Sequence, residues 1–242
     1  MEHNNLKIRA VILDVYGTLL EVGPPPNDAD ARWLKLFEET LGTPPPFKRT
    51  EFSVRTSQFI ARRHAEAKAR GISKPEIVWS SVVLEALPQL ARLSAGKREE
   101  FIFRQMQLGR TLRLAEGATD CLRQLKNNGI LLGIASNSQA YTLTELTAAF
   151  QGTGLSLSAF DRDVRFLSFE NGFSKPDPHV FRILTARLEA RGISPGETLM
   201  VGDRLDNDVE PARACGWQTW QLAARPTHRT SGNWRDLTAW LG

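Results

Sequence analysis

Apolar residues fall in short unbroken runs at positions 8–13, 131–135, 164–167, 198–201 and 218–222, each followed by a turn or a helix start. Such runs predict strands buried on both faces, as in a parallel sheet. Between the later runs apolar positions recur at helical spacing, over 117–128, 140–150, 178–191 and 207–215. Gly129, Gly192 and Gly216 stand just past three of these stretches, where a helix is expected to stop. Strand and helix in alternation predict an α/β fold: a doubly wound parallel sheet with right-handed crossovers.

The stretch 21–111 breaks this alternation. It opens on Pro24-Pro25-Pro26, contains Pro44-Pro45-Pro46, and otherwise carries helical periodicity at 28–41, 51–69, 75–87 and 95–108. Asp28 or Asp30 is expected to cap the first of these helices, and Pro75 suits the first turn of the third. The expected organisation is an α/β core of residues 1–20 and 112–242, with a helical cap, 21–111, inserted after the first strand. The insert reads as a mobile cap, the alternative being an extra helical layer packed rigidly on the core.

Composition narrows the partners more than the fold. A chain of 242 residues, 41% apolar and 24% charged, has enough apolar material for a sizeable core. Its net charge of +4 comes from scattered residues, with no basic stripe, so nucleic acid is not an expected partner. No apolar run approaches the roughly 20 residues of a membrane span. The first five residues are polar and lead directly into the first strand, so no secretory signal is expected. Cys121 and Cys215 lack metal-ligand spacing and are expected to be buried free thiols. The expectation is a cytoplasmic protein, monomer or homodimer, without a membrane partner.

Chemistry concentrates where strands end, which is where open α/β sheets bind ligands. Asp14 closes the first apolar run and Asp203 the fourth; an unpaired buried carboxylate is costly, and two of them suggest a divalent-cation site. Ser136, with Asn137 beside it, follows the run 131–135; taken alone it reads equally as a helix N-cap. Lys175 precedes a helix opened by Pro178, and alone would pass for a solvated surface residue. In Gly202-Asp203-Arg204-Leu205-Asp206-Asn207-Asp208 the spacing lets one carboxylate reach a metal and another, Asp208, an ammonium; Asp206 is expected to cap the helix.

In this order the four segments, Asp14-Val15-Tyr16-Gly17-Thr18, Ser136, Lys175 and Gly202-Asp203 with Asp208, resemble the haloacid dehalogenase (HAD) superfamily of hydrolases. The resemblance runs from the first strand to about Trp220, except for the insert, whose position is similar to the helical cap of the first subfamily. It implies a Rossmann-like core, Asp14 as nucleophile, and Ser136 and Lys175 as phosphate ligands, with Thr18 and Asn137 at the substrate. It also implies Mg²⁺ held by Asp14, Asp203 and the Tyr16 backbone carbonyl, and an Asp208 that orients Lys175. The substrate so implied is a small phosphorylated metabolite.

Tyr16 departs from that pattern, because phosphatases of the family usually carry an acid/base Asp there, whereas its haloacid dehalogenases commonly carry Tyr. Against the dehalogenase alternative, attack by a carboxylate on a phosphate dianion needs a cation, and this chain keeps Asp203. Nor does one cap arginine among Arg32, Arg55, Arg62 and Arg63 stand out as a halide ligand. A weakly catalytic protein that binds a ligand or partner is a further alternative. Trp33, Arg55 and Trp79 are possible substrate contacts, but their helical spacing reads first as cap core. Tyr16→Asp is expected to raise phosphate release in a steady-state assay, by up to about 10²–10⁴-fold, without changing its Mg²⁺ dependence.

Overall fold

The computed structural model describes residues 7–242; the polar segment 1–5 lies outside the described residues. The chain divides into two compact units, one holding the chain up to Glu21 and from Arg113 onward, the other Val22–Leu112. Both crossings fall inside a ribbon of two short strands, β2 (Leu20–Gly23) and β3 (Thr111–Leu114), which follow the first sheet strand, β1 (Ala10–Leu13). Neither ribbon strand was legible as one, since each is four residues long and only partly buried.

In the inserted unit the helices are α1 (Ala29–Leu41), α2 (Arg49–Ala69), α3 (Trp79–Ala86) and α4 (Ala95–Met106). Their core is aromatic: the Trp33 ring lies 4.7 Å from Phe37 and 5.2 Å from Phe52, and Phe37 lies 5.1 Å from Phe101. Trp33 donates to the Phe47 carbonyl, Trp79 to the Gln105 side chain, and Arg55 sits over the Phe47 ring while paired with Glu51. These three side chains are engaged within their own unit. Two local expectations fail. The third helix begins at Trp79, not at 75, because Pro75 is buried in an irregular segment where the Glu76 carboxylate satisfies the Ile77 N–H without a helical turn. Asp28 stands at the N-cap of α1 but makes no side-chain capping bond; it pairs with Arg32 instead, and Asp30, inside the first turn, pairs with Arg49.

In the other unit, α5 (Ala118–Asn127) leads to β4 (Leu131–Ser136), and α6 (Thr142–Ala149) to β5 (Arg165–Leu167). A single turn, α7 (Ser168–Asn171), precedes α8 (Pro178–Glu189), β6 (Thr198–Gly202), α9 (Glu210–Ala214) and β7 (Gln218–Leu222). The chain then adds β8 (Ser231–Gly232) and α10 (Trp234–Leu241), which were not anticipated. Among the described residues six parallel strands form one sheet, in the order β5-β4-β1-β6-β7-β8. Every residue of β1 is buried, which is why its sequence is apolar throughout. Ala10 and Ile12 join Met200, Val180, Phe181, Leu184 and Ala212 in the core under α8 and α9. Val11 and Leu13 point to the opposite face. No helix among the described residues is long and apolar enough to cross a membrane. Both cysteines are free; Cys121 is buried in α5, but Cys215 is only half-buried, because α9 ends before it.

Gly133 shows how tightly the strand that delivers Ser136 is packed. A Cβ there would collide with the Val164 carbonyl and lie 2.6 Å from the Ile12 side chain. Gly133→Ala is therefore expected to lower unfolding free energy by about 1–3 kcal/mol, the usual cost of overpacking, in a urea titration.

Candidate active site

The strand order reverses at β1: the chain builds β4 and β5 on one side of it and β6, β7 and β8 on the other. The crevice outside such a switch point is where open sheets hold ligands. Asp14 stands there, its N–H bonded to the Val201 carbonyl at 3.0 Å. The backbone then turns at once, with Leu20 N–H on the Val15 carbonyl (2.8 Å) and Gly17 N–H on the Leu20 carbonyl (2.7 Å). Gly17 holds φ at +83°, and a Cβ on it would lie 2.5 Å from Asp203 Oδ2. Both conformation and space demand glycine.

Beyond β6 the chain makes one π-helical turn, Leu205–Val209, before α9. Asp208 is buried in it and takes the Arg204 N–H at 3.1 Å, the capping role expected of Asp206. Asp206 lies exposed on the outside of that turn and pairs with Arg204 at 2.8 Å. A Cβ at Gly202 would collide with the Asp208 carboxyl.

Lys175 comes from the segment between α7 and α8, where the Lys175–Pro176 peptide is cis. Asn137, just past β4, clasps its backbone from both sides: the Lys175 N–H donates to Oδ1 (2.8 Å) and Nδ2 donates to the Lys175 carbonyl (2.9 Å). The Lys175 ammonium is fully buried, donating to Asp14 Oδ1 at 2.8 Å and to Asp208 Oδ1. Burial pushes the Asp14 carboxyl up to about 6 against the pull of Lys175, with Asp208 adding to the rise. Burial also works against the Lys175 charge, yet the two carboxylates outweigh it and its pKa lies above the ordinary lysine value. Asp203 is raised too, by burial first and then by Asp208.

Ser136 ends β4 and does not cap α6, which begins at Thr142. Its hydroxyl is buried without a hydrogen-bond partner, as are the Thr18 hydroxyl and Asp203 Oδ1. Orphaned buried polar atoms are costly and unusual. Asp14, Asp203 and Asp208 bring carboxylate oxygens within 4.8 Å of one another. Both oxygens of Asp208 are engaged, by Lys175 and by the Arg204 N–H, so Asp14 and Asp203 are the pair with capacity for a cation. An unsatisfied oxygen and a surplus of negative charge fit a small hard cation such as Mg²⁺, which binds through few carboxylates.

Sequence reasoning missed what Tyr16 touches. Its phenol donates to Glu145 Oε2 and lies 2.8 Å from Thr142 Oγ1. Glu145 is only 5% exposed although charged by nature, and Thr142 is fully buried. The signal available in sequence was a Thr and a Glu three apart on one face of an otherwise apolar helix pattern.

A family model described as haloacid dehalogenase-like hydrolase matches residues 8–216. A phosphoserine phosphatase of Thermus thermophilus is 31% identical over 189 residues, 65% of this chain and 72% of that protein. A glyceraldehyde 3-phosphate phosphatase of Pyrococcus furiosus is 33% identical over 108 residues, 45% of this chain, which spans 41% of that relative's length. Among solved structures, a 2-haloacid dehalogenase from Pseudomonas syringae superposes with a TM-score of 0.59 at 17% identity, over 96% of this chain and 99% of that one. At that identity the likeness is one of fold alone.

Lys175→Met leaves Asp14 and Asp208 facing each other without their shared cation. The expected result is a loss of about 3–5 kcal/mol of unfolding free energy at neutral pH, partly recovered when Asp14→Asn is added. Urea titrations of the two single variants and the double variant measure it.

Proposed function

Because the chain belongs to the haloacid dehalogenase-like hydrolase family, we propose that it is a Mg²⁺-dependent phosphatase of small phosphorylated metabolites, working through an aspartyl-phosphate on Asp14. The observation that carries the reading is Asp203: a carboxylate beside Asp14 with one buried oxygen unsatisfied. Displacing halide from carbon has no use for that third acid, whereas attack on a phosphate dianion does. The phosphatases among its relatives support the same choice. So does the inserted unit, where Arg32, Arg55 and Arg62 pair with Asp28, Glu51 and Glu85, and Arg63 with Glu85.

Asp14 attacks phosphorus while Lys175, held by Asp208 and by the Asn137 clasp, neutralises a phosphate oxygen. The hydroxyls of Ser136 and Thr18, buried and without partners, donate to the others. Asn137 thus acts by positioning Lys175 through the two bonds it makes to that residue's backbone. Asp14, Asp203 and the Tyr16 carbonyl would hold Mg²⁺, whose charge offsets the repulsion between carboxylate and phosphate. Water then releases the phosphate and restores Asp14. We take the protein as cytoplasmic, a monomer or homodimer; two free cysteines suit a reducing compartment.

Purified protein is expected to release phosphate from an activated aryl phosphate only when Mg²⁺ is present, and Asp14→Asn to abolish the release. Halide release from a 2-haloacid without metal, measured in parallel, would replace this reading with the dehalogenase one. Tight Mg²⁺-dependent binding of a phosphometabolite without turnover would favour a binding protein.

A further inference from the structure

Resting on that phosphatase reading, we infer that the site is selective for phosphoryl donors whose leaving group departs unprotonated, above all acyl phosphates, and discriminates against phosphate esters of ordinary alcohols. The observation is the fate of the one proton on the residue two past the nucleophile. A phenol carries a single hydrogen, and that of Tyr16 is donated to Glu145 Oε2, so the nearby Thr142 hydroxyl is left to donate to the phenol oxygen. Glu145 and Thr142 are both buried, in α6. Turning the phenol toward a leaving oxygen would break its bond to a buried carboxyl, a loss that a transient bond to the leaving group does not repair. The donors that remain, the Ser136 and Thr18 hydroxyls and the third ammonium hydrogen of Lys175, are the ones assigned above to the phosphate oxygens, not to the leaving group. Lys175 shares its ammonium between Asp14 and Asp208, and Asp208 uses both oxygens as acceptors.

The consequence is chemical. In the first step an Asp14 oxygen bonds to phosphorus, the bond from phosphorus to the leaving oxygen breaks, and that oxygen keeps the electron pair. An alkoxide formed this way is strongly basic and leaves slowly without a proton; a carboxylate is weakly basic and needs none. In the second step water bonds to phosphorus, the bond to Asp14 breaks, and Asp14 returns as carboxylate. The two water hydrogens leave on the released phosphate as its dihydrogen anion, so no protein base is consumed. A positioned proton donor usually contributes about 10²–10⁴-fold, and its lack is felt only where the leaving group is basic.

The test is a donor series on the unaltered 242-residue chain with Mg²⁺: acetyl phosphate, aryl phosphates of graded phenol basicity, and glycerol phosphate. The expected result is a steep fall of kcat/KM with leaving-group basicity, glycerol phosphate trailing acetyl phosphate by more than the roughly 10²–10⁴-fold that an acid would supply. Tyr16→Asp should narrow that gap by speeding glycerol phosphate selectively. Similar kcat/KM for glycerol phosphate and acetyl phosphate would overturn the inference while leaving the phosphatase reading intact. So would a folded Tyr16→Asp protein with the gap unchanged. Failure to turn over even acetyl phosphate in a Mg²⁺- and Asp14-dependent manner would sink the inference and the phosphatase reading together.

Discussion

A fully buried ammonium holds this site together. Placing the Lys175 charge out of water costs several kcal/mol, and only well-placed carboxylates repay it. Asp14 reaches it from the end of the central strand and Asp208 from the turn after β6. Asn137, from the end of β4, fixes the backbone that carries it. Four distant segments of sequence must therefore arrive together, and each is delivered by a strand of the same parallel sheet or by the loop that follows one. Without the register that sets Leu13 between Ile134 and Val201, the cation would have no partners at all.

The same cluster explains why two glycines frame it. Three carboxylates within 4.8 Å of one another leave little room for other atoms. Gly17 lies against Asp203, and Gly202 against Asp208; a methyl group in either place would displace an acid from its post. What reads in sequence as turn punctuation is here a packing requirement imposed by charge. The surplus of negative charge that results is tolerated only because Lys175 sits inside it and because Asp203 retains capacity for a cation.

Much of this was legible, for identifiable reasons. Buried parallel strands are apolar throughout, so the five main strands stood out within a residue or two of their observed ends. Asp14, Ser136, Lys175, Asp203 and Asp208 stood out because polar residues at the ends of such runs are conspicuous, and their order along the chain narrowed the family. Pairing was less visible. Nothing local tells that Asn137 clasps Lys175, or that Asp208 rather than Asp206 takes the Arg204 N–H, since these bonds depend on a π-helical turn and on a segment from elsewhere. The final helix, α10, had a readable signal in its capping box, Asn233 with Asp236, but followed a strand of only two residues. Pro75 misled because a proline suited to a helix start is equally at home in an extended segment.

Tyr16 shows why a motif position cannot be judged apart from its surroundings. Read alone, it is a missing acid. In the structure it is the half-buried corner of a polar trio with the buried Thr142 and Glu145, and its phenol donates to a carboxyl that is only 5% exposed. A partly satisfied buried network is worse than none, so the three residues constrain one another. An aspartate placed at 16 would put a second carboxyl near Glu145 in place of its donor, and part of any gain in proton transfer would be lost to that repulsion. The chemistry of the position is thus set as much by α6 as by the strand that carries the nucleophile.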